Sequence, residues 1–199
     1  MNNNRIIQWV SGALLMLCLS GCYIPEDFQA GVSIDKKGNY TFTYGGKLSN
    51  VLALAAANEG KLGKKEEDEL QKDAAKLAEL PGFKNVKYLS EGRYEVTVDK
   101  RGKVGEDYHF ISKDIKIFSI RYLADDRIEI SAFKPEKDEI AQIKALGGNM
   151  SGRLTVSLPK GCKVIEHNAK SAPKGSAAGG EYVWDIDNFD LRPEIVVKP

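Results

Sequence analysis

Tyr40-Thr41-Phe42-Thr43-Tyr44 is the stretch of this sequence that decides the fold. Three aromatic residues alternate with two threonines, which is the period of a β-strand with one buried and one exposed face. Val32 and Ile34 alternate with polar residues just before it, and Lys36-Lys37-Gly38-Asn39 has the composition of a tight turn. The segment 31–48 is therefore predicted to be a β-hairpin with an aromatic face.

More strands are predicted wherever apolar and polar residues alternate between turn signals. They fall near 83–89, 94–98, 108–111, 115–122, 128–133, 154–158, 162–167, 182–186 and 195–197. Between Ile117 and Phe118 the apolar phase slips by one residue, which indicates a bulge or a strand buried on both faces. Because tight turns join most of these strands, neighbouring strands are expected to be antiparallel.

Helices are predicted at two places along the chain. A first helix begins at Asn50, where Ser49 is a candidate cap, and a second covers 64–80. The run 51–57 has no polar face, so burial is favoured, with contact to a nearby bilayer as the alternative. A third helix opens at Pro135. The sequence thus predicts an α+β fold, with a mostly antiparallel curved sheet or partial barrel of about eight strands and two to three helices.

The charges of the chain are balanced. The 199 residues contain 29 Lys and Arg against 28 Asp and Glu, a net charge of +1. A nucleic-acid partner needs a basic face, and docking on anionic lipid needs a basic cluster, so this balance argues against both.

The N-terminal residues have the pattern of an export signal. A polar start with Arg5 precedes an apolar run over 10–19, and small residues follow it. The run is about half the length of a membrane-spanning helix, which argues against an uncleaved anchor. Leu19-Ser20-Gly21-Cys22 resembles the lipobox of bacterial lipoproteins.

That resemblance implies that residues 1–21 are a cleaved signal peptide and that Cys22 becomes a lipidated N-terminus. Tyr23, in place of Asp, implies sorting to the outer membrane of a Gram-negative cell, with the protein on the periplasmic side. We then expect 22–28 to be a short tether and 29–199 to be a single domain held close to the membrane.

No catalytic or metal-binding signature is found in the sequence. Cys18 is removed with the signal peptide and Cys22 would carry lipid, so Cys162 remains as the free thiol. We expect Cys162 to be buried rather than exposed and reactive. Cys162 and His167 would point to opposite faces of one strand, and His109 lies in another. Asp185, Asp187, Asn188 and Asp190 form an acidic cluster without the glycine and glutamate of an EF-hand. No metal, cofactor or enzymatic activity is expected.

The C-terminal third carries a second resemblance. Val164-Ile165-Glu166-His167-Asn168-Ala169, a loop, and then Tyr182-Val183-Trp184-Asp185-Ile186 resemble the closing strands of LppM-type lipoprotein domains. The resemblance implies a lipid-binding α+β module, here with an added helical segment over 49–80.

Three classes of function remain open at this point. The first is a non-enzymatic cell-envelope lipoprotein that binds a lipid or other apolar ligand between sheet and helices. Its candidate pocket wall is Tyr40, Phe42, Tyr44 and Trp184, for which core packing is the alternative interpretation. The second is an interaction module that docks an envelope protein complex at the outer membrane. The third is a hydrolase, which would need a polar cleft containing His109 or His167.

Overall fold

The computed structural model describes residues 23–174 and 179–199. Within these ranges the strands are β1 Tyr23–Ile34, β2 Tyr40–Asn50, β3 Phe83–Ser90, β4 Arg93–Gly102, β5 Tyr108–Ile111, β6 Lys116–Tyr122, β7 Ile128–Ala132, β8 Gly152–Leu158, β9 Lys163–His167, β10 Gly180–Ile186 and β11 Glu194–Lys198. The helices are α1 Val51–Asn58, α2 Lys64–Ala78 and α3 Lys137–Ala145.

Sheet 1 has the strand order β10-β8-β1-β2-β4-β3. Its central hairpin, β1 and β2, is the predicted one, and Asp35 shapes the turn because its carboxylate accepts the amides of Lys37 and Asn39 at 2.8 and 2.9 Å. The other edge of β1 pairs with β8, and this pair is parallel. A parallel pair needs a long crossover, which here includes the whole of β3 to β7 and all three helices.

Sheet 2 has the order β5-β6-β7-β11-β9 and packs on sheet 1 through aromatic rings. The centroids of Tyr44 and Phe110 are 4.7 Å apart, and those of Phe28 and Phe118 are 5.5 Å apart. The predicted α+β class is confirmed. The chain forms eleven strands in the described ranges, one at each strand of the predicted hairpin and at each of the nine further segments of alternation, so the total of about eight was too low, and the two sheets do not close into a barrel.

The four aromatic residues proposed as a pocket wall lie in this core. Tyr40, Phe42, Tyr44 and Trp184 are all essentially inaccessible to solvent. Phe42 packs on Tyr108 and Phe110, each at a centroid distance of 5.2 Å. Their rings fill the space between the two sheets, so the structure places them in the core rather than at the wall of a ligand pocket.

The helices flank sheet 1. The side chain of Asn50, and not that of Ser49, caps α1 by accepting the amides of Leu52 and Ala53, while Ser49 belongs to β2. Helix α2 packs on β3 and β4, where the Tyr94 hydroxyl donates to the Leu70 carbonyl at 3.1 Å. No helix in the described ranges has the length and apolar character required to cross a membrane.

Residues 23–28, expected as a tether, are the first half of β1. Tyr23 pairs with Asn50 at the end of β2, and Ile24 and Phe28 are buried. A bulge between Glu26 and Gln29 interrupts the pairing. The apolar side chains of this segment enter the core, which a solvated tether would not permit.

Candidate functional site

A surface pocket of about 320 Å³ lies on the face of sheet 2 that points away from sheet 1. We call it the sheet-2 basin and define it by His109, Lys116, Arg121, Glu129, Lys134 and Arg192. These residues come from β5, β6, β7 and the loops that follow β7 and precede β11.

Strand register brings the side chains of the basin together. His109 on β5 lies opposite Ser119 on β6, and Ser119 lies opposite Ser131 on β7. One step along the same strands, Arg121 lies opposite Glu129. Because side chains alternate across a strand, all five point to the same outer face of the sheet.

Glu129 is the buried carboxylate at the floor of the basin. Arg121 donates from Nη2 to Oε2 of Glu129 at 2.7 Å, and the Ser131 hydroxyl donates to Oε1 at 3.0 Å. Burial opposes ionisation, but these hydrogen bonds and the positive charge of Arg121 outweigh it and hold the pKa of Glu129 below its usual range. Glu129 is therefore ionised at neutral pH and fixes Arg121 in place.

His109 is held at one side of the basin. Its Nδ1 shares a hydrogen bond of 3.0 Å with the Ser119 hydroxyl. Burial, and then the positive charge of Lys116, hold the pKa of His109 below its usual value. The imidazole is accordingly neutral at pH 7, and its protonation at lower pH would add a positive charge to the basin.

Arg192 is held at the basin by hydrogen bonds that begin at the buried Trp184. The Trp184 indole N–H donates to Oδ1 of Asn168 at 2.7 Å, and the side-chain Nδ2 of Asn168 donates to the Arg192 carbonyl at 2.6 Å. The Arg192 guanidinium then donates from Nε to the Ala132 carbonyl at 3.1 Å. Trp184 and Asn168 thus position the loop that carries Arg192.

The electrostatic character of the basin is cationic. Lys116, Arg121, Lys134 and Arg192 line it, Glu129 is the one carboxylate of its lining, and the charges of Asp107 and Glu194 also act on Arg121. Phe133 adds an apolar group at the rim, since 56% of this residue is exposed. Arginine and lysine at a concave surface suit phosphate or carboxylate groups, which arginine binds through paired N–H donors.

A second pocket of about 280 Å³ lies beside the edge strand β5. Leu80, Phe83, Tyr108 and Ile111 line its apolar part, and His109 borders both pockets. None of the four aromatic residues proposed as a pocket wall lines either pocket.

The other predicted residues lie apart from the basin. Cys22 is outside the described residues. Cys162 is buried, as predicted, and burial raises the pKa of its thiol, which disfavours the reactive thiolate. His167 packs edge-on against Tyr182, and its Nδ1 accepts the amide of Ala169. These environments give no hydrogen-bonded thiolate–imidazole pair.

The acidic cluster forms turn and strand contacts of its own. Asp185 pairs with Arg153 at 2.7 Å, and the Asn188 side chain accepts the amide of Asp190 at 2.8 Å. In the described residues, no three metal-ligating side chains of the His, Cys, Asp or Glu type come together.

Sequence reasoning identified His109 but missed the rest of the basin. A signal was present in β6 and β7, where Ser119, Arg121, Glu129 and Ser131 alternate with large apolar residues. This alternation indicates a polar face on each strand. It does not give the pairing register, which is what places Arg121 beside Glu129.

Comparison of the chain with models of known protein families and with curated proteins finds no match.

Proposed function

We propose that this protein is a non-enzymatic, lipid-anchored protein of the cell envelope that binds an anionic group in the sheet-2 basin. The observation that carries the proposal is the charge of the basin, in which four cationic side chains surround one carboxylate. Anchoring at Cys22 is supported by the lipobox-like Leu19-Ser20-Gly21-Cys22, and the outer membrane is supported by Tyr23.

The basin favours a phosphate or carboxylate attached to an apolar group. The lysines and arginines supply the charged donors, and the exposed ring of Phe133 supplies an apolar contact at the rim. A lipid with an anionic headgroup has both features. The closed aromatic core supports binding at this surface rather than between the sheets.

Binding is also favoured over hydrolysis by the environment of Ser119 and His109. Ser119 is buried in the middle of β6, and a nucleophilic serine needs an accessible hydroxyl and a base oriented by a third group. Within the described residues, the imidazole of His109 makes one side-chain hydrogen bond, and its partner is Ser119. This pair is better suited to shaping the wall of the basin.

Calorimetry with two probes tests the binding. Mature lipidated protein in non-ionic detergent is titrated with glycerol phosphate and with dihexanoyl phosphatidic acid, which share a phosphate but differ in acyl chains. Both should bind, the lipid more tightly because it also contacts Phe133. The variant Lys116→Gln/Lys134→Gln should weaken both by about five- to tenfold, since it removes two of the cations.

A matched variant, Lys84→Gln/Lys87→Gln, removes two exposed lysines from β3 and should leave the affinities unchanged. Equal weakening by the two variants would show that net charge, and not the basin, attracts the anion. Equal affinity for the two probes would show that the basin recognises the phosphate group alone and that the acyl chains add nothing, which would contradict a lipid ligand.

A second function, docking of an envelope protein complex, is favoured by the edge of sheet 2. Strand β9 ends the sheet and carries Ile165, which is substantially exposed. An unpaired edge can accept a strand from a partner. A photo-crosslinking residue at position 165 should then capture one envelope protein in cells, whereas the same residue at Lys84 should not.

A further inference from the structure

Three segments meet at the end of the domain where the described chain begins. Tyr23 at the start of β1 pairs with Asn50, which caps α1. The amide of Asn50 donates to the Gly92 carbonyl in the β3–β4 turn at 2.9 Å. A Cβ on Gly92 would lie 2.2 Å from the Cβ of Ala53, so this turn packs directly on α1. We call these three segments the proximal end.

Two leucines are exposed at the proximal end. Leu52 in the first turn of α1 is 39% exposed, although its neighbours Val51 and Ala53 are buried. Leu89, close to the β3–β4 turn, is 40% exposed. Single exposed leucines are ordinary on protein surfaces. Here two of them share the end at which the chain arrives from Cys22.

We infer that the proximal end contacts the bilayer surface, with Leu52 and Leu89 in the interfacial layer. The inference rests on the proposed anchoring at Cys22. Since β1 begins at Tyr23, the next residue along the chain, no length of tether separates an anchored Cys22 from the folded domain. The acyl chains of a lipidated Cys22 would therefore enter the membrane beside these leucines.

The far end of β1 supplies a matched control. The amide of Val104 donates to Oδ1 of Asn39 at 3.2 Å, next to the β1–β2 turn. Val104 is an apolar residue that is 62% exposed. The 12 residues of β1 separate the two ends by roughly 35 Å at the rise of an extended strand. With β1 directed away from the membrane, Val104 lies far from a bilayer that contacts Leu52 and Leu89.

Depth-dependent quenching in vesicles tests the inference. Mature lipidated protein that carries Leu52→Cys, Leu89→Cys or Val104→Cys is labelled with a fluorophore at the new cysteine and reconstituted in phosphatidylcholine vesicles with nitroxide-labelled headgroups. Cys162 is buried, and unsubstituted protein measures any background labelling. Labels at 52 and 89 should be quenched several-fold more strongly than the label at 104.

Flotation of the vesicles separates the two ways in which the inference can fail. Protein that floats but shows equal quenching at all three positions is anchored without contact at the proximal end, and this would overturn the inference alone. Protein that does not float would overturn the proposed anchoring at Cys22 and the inference with it.

Discussion

At the scale of the residue, the sheet-2 basin is organised by a charged group that sheet 2 partly buries. Glu129 stands in a strand whose remaining residues are apolar or small, and Arg121 and Ser131 satisfy both of its oxygens. A buried carboxylate without such partners would cost several kcal/mol. The same contacts leave Lys116, Lys134 and Arg192 as the cationic groups through which the basin meets a ligand.

Glu129→Gln should lower stability and strengthen anion binding at the same time. Arg121 is half exposed, so loss of its ionic partner should lower the free energy of unfolding by only about 1 kcal/mol. Removal of the one carboxylate in the basin should tighten binding of sulfate several-fold. Urea unfolding and calorimetry measure the two effects, with Glu181→Gln on β10 as the control.

The stability of Glu129→Gln should depend on pH in a different way from that of the unsubstituted protein. The pKa of Glu129 is lower in the folded protein than in the unfolded chain. Its stabilising contribution is therefore complete above the unfolded pKa, about 4.3, and is lost as the pH falls through the folded pKa. Glu129→Gln should lose less stability than the unsubstituted protein in this acidic range. An equal loss would contradict the lowered pKa assigned to Glu129.

His109 should make anion binding stronger at acidic pH. Because its pKa is lowered by burial and by Lys116, it is neutral at pH 7 and gains a positive charge only below its usual value of about 6.5. Sulfate does not titrate in this range, so its affinity should rise as the pH falls towards 5. His109→Gln should abolish the rise.

Imidazole NMR signals check the same prediction by linkage. Bound sulfate should raise the pKa of His109, because the anion favours the protonated form. The chain has two histidines, and His167, which lies outside the basin, provides the reference signal. Equal shifts of the two signals would contradict binding in the basin.

At the scale of the element, alternation predicted the strands well and their partners poorly. The hairpin of β1 and β2 is local, so its aromatic face and turn could be predicted from the residues. The first half of β1 was missed because Pro25 and acidic residues mask the buried Ile24 and Phe28. Division into two sheets depends on contacts between distant segments, and local periodicity carries no information on these.

Trp184 was predicted to line a ligand pocket, but in the structure it supports, through Asn168, the loop that carries Arg192. Trp184 is a core residue of β10, and its indole reaches Asn168, which in turn holds the backbone of Arg192 and Glu194. The sequence places the two residues in strand segments separated by a loop and predicts no contact between them. Only the structure shows that they join β10 to the loop before β11.

Asn168→Ala should reduce both stability and anion affinity. It leaves the Trp184 indole N–H without its acceptor, a loss of about 1–2 kcal/mol in the free energy of unfolding. It also releases the loop that positions Arg192, so sulfate binding should weaken several-fold. Thermal unfolding and calorimetry test both effects, and Asn85→Ala on the exposed face of β3 should change neither.

At the scale of the whole molecule, the domain consists of two packed sheets, and its first strand starts at Tyr23. The acyl chains proposed for Cys22 would be attached one residue before β1, so the proposed anchor would be joined directly to the folded domain. Two or more acyl chains hold a protein stably at a membrane, whereas one chain holds it only marginally.

Cys22→Ser should remove the protein from the membrane without unfolding it. The substituted protein should appear in the soluble fraction and incorporate no labelled palmitate, and its thermal unfolding should match that of the lipidated protein. Cys162→Ser, which alters a buried thiol, should remain in the membrane fraction. A Cys22→Ser variant that still sediments with membranes would contradict anchoring through this sulfur.

The parallel pairing of β1 with β8 has a consequence for the order in which the chain can fold. Asp27 and Ser151, which are hydrogen-bonded beside this pair, lie 124 residues apart. During synthesis, β2 can cover one side of β1 almost at once, but the other side stays open until β8 has been made. Such high contact order slows folding and leaves an unpaired strand exposed to aggregation. The exported chain should therefore depend on a holding chaperone until β8, which ends at Leu158 and so nearly four-fifths of the way along the chain, has crossed the membrane.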